Sequence, residues 1–129
     1  MAVNRLFRGK RIDTGEWVYG DKIIEPHHVA IQYYEDGKRI KATVIPETVG
    51  QYIYQISYDK SGIFEGDFVR ELGSDEYGII VFDEEDAMFI ISYDDYILNF
   101  GTVRGIDYEI IGNKDDNPEL LFWILKNKL

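Results

Sequence analysis

The 129-residue chain contains no cysteine, only two methionines and three prolines, and a single adjacent pair of histidines. Without cysteine there is no disulfide, no thiol nucleophile and no zinc site built on thiolates, and a reducing compartment fits. No apolar run approaches the length that spans a bilayer. The opening Met-Ala-Val-Asn-Arg-Leu-Phe-Arg lacks the apolar core of a signal peptide, so a soluble, cytoplasmic protein is expected. A phosphate-binding glycine loop, a Gly-x-Ser-x-Gly elbow and a metal-binding histidine pair are all missing. With no convergent acid, base and nucleophile, the chain does not read as an enzyme, and it calls for no cofactor.

What is present is strand chemistry. Hydrophobic residues make up 45% of the chain and aromatic residues 15%, which suffices for a packed core. Ten tyrosines favour strands over helices. The net charge of −10 is unevenly spread. Residues 1–60 hold nine basic and eight acidic side chains, whereas residues 61–129 hold five and sixteen, a net −11. An acidic half repels phosphate backbones, which disfavours nucleic-acid binding through it. Arg5, Arg8, Lys10 and Arg11 form a small basic patch, read as a solvated edge, with weak nucleic-acid binding through this N-terminus as the alternative.

In the first half, Arg5–Arg8, Trp17–Ile24, Val29–Tyr34, Arg39–Val44 and Gln51–Ser57 read as strands. Gly20-Asp21 marks a bulge or bend. Asp36-Gly37 between two β-rich runs is the strongest short hairpin signal in the chain. Pro46 and Gly50 bracket a connector, and the polar stretch Tyr58–Gly62 marks the best boundary between halves. Beyond it, Asp67–Leu72, Tyr77–Phe82, Ala87–Tyr93, Thr102–Val103 and Tyr108–Gly112 form a meander of short strands, as in a small barrel or roll. Asn117-Pro118-Glu119 then sets a cap, a proline at the first helical position and an acid in the first turn of a short helix.

Each chemical constellation has a plain structural reading. His27 and His28 point to opposite faces of an extended backbone, so they cannot chelate one ion together and read as structural or surface residues. Asp83-Glu84-Glu85-Asp86 and Asp94-Asp95 lack the spacing and glycine of a calcium loop. They read as solvated turns that guard a sheet edge, or as an acidic interaction surface. Glu65-Gly66-Asp67 reads as a turn with capping hydrogen bonds. Tyr33, Tyr34, Tyr52, Tyr54, Tyr58 and Tyr77 suit half-buried strand positions, with a binding groove as the alternative. Leu120, Leu121, Phe122, Trp123, Ile124 and Leu125 give a helix apolar on every side. It must be buried against its own sheet or another subunit, and its terminal position favours self-association.

Four segments occur in a telling order: Val18-Tyr19-Gly20-Asp21, Ile45–Tyr52, Ile63–Arg70, and Ile111-Gly112-Asn113 before Asn117–Leu121. Together they resemble the YopX-like family of phage and prophage proteins over nearly the whole chain. The strand pattern gives a mainly β fold, an N-terminal β region (1–58) followed by a second part with a short C-terminal helix (59–129), or one continuous domain, and the resemblance implies that the second part is an SH3-like barrel. It also implies a phage or prophage origin and self-association as a homo-oligomer, but no activity and no catalytic residues; with that origin, the expected cytoplasm is that of a bacterial host. The connector Tyr58–Gly62 is shorter than the family's, and Phe122–Leu125 is more apolar. The function expected is a non-enzymatic oligomeric module that binds a host or phage protein. The alternative is an acidic decoy that imitates nucleic acid before host DNA-binding proteins.

Overall fold

The computed structural model describes residues 6–99 and 107–125, most of them in antiparallel strands followed by one short helix. The expectation at Thr102–Val103 lies outside the described residues. The chain divides into two units, Met1–Tyr52 and Ile53–Leu129, with the division inside a strand. Among the described residues, no helix is long and apolar enough to cross a membrane.

The first unit holds β1 (Phe7–Lys10), β2 (Trp17–Ile24), β3 (Val29–Glu35), β4 (Lys38–Val44), one 3₁₀ turn (Pro46–Thr48) and the start of β5 (Gly50–Ile56). Their order is β4-β3-β2-β1-β5. β1 starts two residues later than the sequence suggests. Its register is set by Lys10↔Trp17 and Arg8↔Gly50, and the loop beyond it closes through Arg11 N–H to the Glu16 carbonyl at 2.9 Å. The β3–β4 turn has positive φ at both Asp36 (52°) and Gly37 (77°), the hairpin geometry that Asp-Gly favours. β4 lies at the end of this strand order and carries exposed Lys38, Arg39 and Lys41, charges that discourage edge-to-edge pairing.

β2 is shared between two ladders. Its first half, Trp17–Gly20, pairs with β1, and its second half, Asp21–Ile24, pairs with β3. The expected bend at Gly20-Asp21 is therefore the place where the strand changes partner. A Cβ on Gly20 would lie 2.1 Å from the Gln32 carbonyl oxygen, so the crossing tolerates no side chain. An isolated bridge, Arg11↔Val44, flanked by Ile12 N–H to the Thr43 carbonyl, ties the end of β1 to the end of β4. Val18, Ile31, Ala42 and Val44 are the buried core of this unit.

The second unit continues β5 and adds β6 (Gly62–Phe64), β7 (Asp67–Glu71), β8 (Tyr77–Asp83), β9 (Met88–Ser92), β10 (Ile97–Asn99), β11 (Tyr108–Asn113) and the helix α1 (Pro118–Leu125). The sheet order is β10-β9-β8-β7-β11, and among the described residues it does not close into a barrel. β6 and β10, three residues each, carry too little pattern for the sequence to show them as strands. Phe68 and Val69 are neighbours on β7 and both fully buried, so they face opposite ways and both faces of the sheet are covered. Val69 joins Ile53, Ile63, Ile80, Ile91, Tyr93 and Tyr108 on one side, while Phe68 joins Ile79 and the helix residue Ile124 on the other.

Glu65-Gly66-Asp67 is the turn into β7. Gly66 has φ +94°, and the buried Asp67 carboxylate accepts the Phe64 backbone N–H at 2.8 Å. Pro118 begins α1 as expected, but the Asn117 side-chain oxygen turns back to accept the Asn113 N–H at 3.2 Å.

Candidate functional site: an acidic cleft with aromatic walls

α1 is apolar on every side but not buried on every side, contrary to the expectation, because the sheet covers only part of it. Leu120 and Ile124, four residues apart, lie on one helical face, and Ile124 is buried against Phe68 and Ile79. The helix is anchored further by Tyr77, whose hydroxyl donates to the Leu120 carbonyl at 2.8 Å and whose ring meets Phe68 edge-on at 5.9 Å. Leu121 is half-buried. Phe122 and Trp123 stay 64% and 55% exposed and pack edge-to-face on each other at 6.4 Å. The side chain of Leu125 lies outside the described residues.

Beside the helix is a cleft of about 260 Å³. Its walls are Tyr77, Tyr93, Trp123 and Ile124, and its charged lining is Asp75, Glu76 and Asp94. Three elements place these groups: the β7–β8 turn, the β9–β10 turn and α1. Tyr93 is buried and stacks on Tyr96, with ring centroids 4.6 Å apart and planes within 12°. The Tyr96 hydroxyl donates to Glu76 Oε2 at 2.8 Å, which ties the two turns together.

The electrostatics follow from this crowding. The hydrogen bond to Glu76 pushes the Tyr96 phenol up to about 12, with loss of hydration a smaller cause. Burial, then the neighbouring Tyr108 and Tyr96, raises Tyr93 as well. Asp95 is held above the usual carboxylate range by loss of hydration and by a hydrogen bond and repulsion from Asp94. Negative charge is therefore concentrated at the cleft mouth, beside ring faces that themselves attract cations.

The acidic surface foreseen from the sequence is split. Asp83-Glu84-Glu85-Asp86 occupies the β8–β9 turn and Asp94-Asp95 the β9–β10 turn, at opposite ends of β9. Asp83 Oδ1 accepts the Glu85 N–H at 3.1 Å, so part of the first group shapes its own turn. Asp75, Glu76, Tyr93 and Tyr96 were not foreseen as site residues. The signal was available: in a meander, alternate turns fall at the same end, so the turns before β8 and after β9 must be neighbours.

The remaining constellations resolve locally. His27 and His28 are exposed, and Glu25 is ion-paired with Lys41, which holds its carboxyl below the usual range. Among the described residues, no group of three or more His, Asp or Glu side chains is arranged to hold a metal. In the basic patch, Arg5 lies outside the described residues. Arg8 is buried with its guanidinium 4.6 Å above the Trp17 ring, Lys10 approaches the same ring at 5.4 Å, and Arg11 pairs with Asp13 at 2.9 Å. Arg11 also donates to the Tyr33 hydroxyl at 3.2 Å.

The six tyrosines do not line one groove. Tyr33 and Tyr34 border a groove of about 600 Å³ between β2 and β3, in which Trp17 and Tyr19 also take part. Tyr77 belongs to the cleft of the second unit. Tyr54 and Tyr58 are exposed and Tyr52 half-buried.

Two antiparallel β units with a short helix covering part of the second define a mainly β class of small protein. Among solved structures, the chain is similar to the crystal structure of protein yopX from Bacillus subtilis, with a TM-score of 0.51 and 17% identity over 92% of this chain and 98% of that one. That likeness shows a YopX-like fold, the fold the ordered motifs suggest. No protein-family model matches the chain, and neither does any curated protein.

Proposed function

We propose that this chain is a non-enzymatic, self-associating module that binds a protein partner, encoded by a phage or prophage and acting in the cytoplasm of the bacterial host. The observation that carries the reading is the outward face of α1, where Phe122 and Trp123 stand exposed while Ile124 beside them is buried. Covering the exposed part of each ring would contribute about 1–2 kcal/mol. A second copy supplies the same rings, so one symmetric contact buries four. The ordered motifs shared with the YopX-like family support the phage or prophage origin.

Light scattering tests the self-association. The expected result is a mass above the 15.1 kDa of one chain, falling to that value in Phe122→Ser/Trp123→Ser with the fold intact. A wild-type mass of one chain at all concentrations, or an unchanged oligomer in the variant, overturns it. The decoy reading has the net −11 of residues 61–129 in its favour. It needs carboxylates in a phosphate-like row, and the two acidic turns are separated by the five-residue β9, about 17 Å of strand. Failure of the chain to compete with duplex DNA for a basic DNA-binding protein at low salt would end that reading.

A further inference from the structure

We infer that the cleft of the second unit is a receptor for one arginine side chain, presented by a partner polypeptide. This rests on the protein-binding reading but not on self-association.

The lining selects the occupant. Three carboxylates, Asp75, Glu76 and Asp94, border the cleft, Asp95 follows directly, and among the described residues no basic side chain lines it. An apolar ligand seated there would strip water from these carboxylates without replacing its hydrogen bonds. A nucleic acid is repelled by the same charge. A bare metal ion needs converging oxygens, which the described residues do not arrange in groups of three. A guanidinium meets every requirement. It is cationic, weakly hydrated and planar, it stacks on aromatic faces, and its fork of N–H donors matches carboxylates in two directions. Trp123 and Tyr77 offer rings, while Glu76 and Asp94 come from turns at the same end of the meander. Asp95 is held above the usual carboxylate range by loss of hydration and then by its neighbour Asp94, so the β9–β10 turn crowds negative charge that an incoming cation would relieve. Glu76 is held in place by the Tyr96 hydroxyl, so one acceptor is already oriented before binding.

The test uses the blocked tripeptide Gly-Arg-Gly and its citrulline counterpart, which is nearly the same shape but neutral. The readout is the indole N–H resonance of Trp123 in the full chain and in its Phe122→Ser variant, where self-association does not cover the ring. The arginine peptide is expected to shift that resonance saturably, and the citrulline peptide is not. Glu76→Gln/Asp94→Asn should weaken binding at least about tenfold, because each amide replaces a charge-assisted hydrogen bond by a neutral one. Both amides retain an acceptor oxygen for the fold, and Asp94→Asn alone gives the same reading if the pair does not fold. Glu84→Gln/Glu85→Gln removes equal charge at the far end of β9 and should change binding by no more than about twofold. Equal weakening by both double variants would show attraction to net charge alone and overturn the proposal. So would equal binding of citrulline, or no shift of Trp123 up to the solubility of the peptide. Phe122→Ser leaves the lining carboxylates in place, so failure of self-association and failure of the arginine site are separately visible.

Discussion

Gly20→Ala tests the claim that β2 must bend where it changes partner. An added Cβ would sit 2.1 Å from the Gln32 carbonyl oxygen and 2.9 Å from its carbon. An ordinary carbon–oxygen contact is about 3.3 Å, so the strands must part by about 1.2 Å. The obstruction is backbone and cannot swing aside. The adjacent pair, Asp21↔Gln32, opens the β2–β3 ladder of four, so the displacement strikes its first rung. Overpacking costs about 1–3 kcal/mol and one lost ladder bond about 1, giving about 2–4 kcal/mol in all. Gly15→Ala is the control. Nothing lies within 4 Å of its Cβ position, so it costs only the strain of φ +75°, about 1–2 kcal/mol. Urea denaturation followed by Trp17 fluorescence reads the first unit when the other tryptophan is removed by Trp123→Phe. If Gly20→Ala costs no more than Gly15→Ala, the crossing is not steric and the account of the bend fails.

Two further predictions concern the second unit. Phe68→Ala removes a fully buried ring that carries both Ile124 and the Tyr77 contact, and should cost about 3–5 kcal/mol, read through Trp123 fluorescence; a loss under about 1 kcal/mol would refute the docking of α1 on this face. The hydrogen bond to Glu76 pushes the Tyr96 phenol up to about 12 from its ordinary 10.0, so the folded state holds the proton more tightly. Its contribution to stability is intact below pH 10 and is lost as pH rises toward about 12. Spectrophotometric titration should show this tyrosinate forming at lower pH in Glu76→Gln, and an unchanged profile would refute the Tyr96–Glu76 bond.

Much of the first unit is legible because its signals are local. Asp36-Gly37 demands positive φ twice, and the structure provides it. Gly20-Asp21 announces a bend, although only the ladder pairings reveal that the bend transfers β2 from β1 to β3. Where backbone geometry departs from residue preference, the sequence misleads. The β8–β9 loop closes with Ala87 at φ 52°, a conformation usually left to glycine, so nothing in Asp83–Ala87 identifies its shape.

The cleft is less legible for a more basic reason. A run of apolar residues such as Leu120–Leu125 has no polar position, so the run alone has no phase and its hidden face cannot be read from it. The sheet supplies the phase: Phe68 and Ile79 present an apolar floor that receives Ile124, and Tyr77 fixes the axial position through the Leu120 carbonyl. Once Ile124 faces inward, Trp123 is about 100° away around the helix and can wall a cleft that the sheet does not fill. The acids of that cleft come from two turns some twenty residues apart, brought together by the antiparallel order of β7, β8 and β9. Neither turn alone is a site. The meander makes them neighbours, and the phase of one helix turn decides that an indole rather than a leucine meets them.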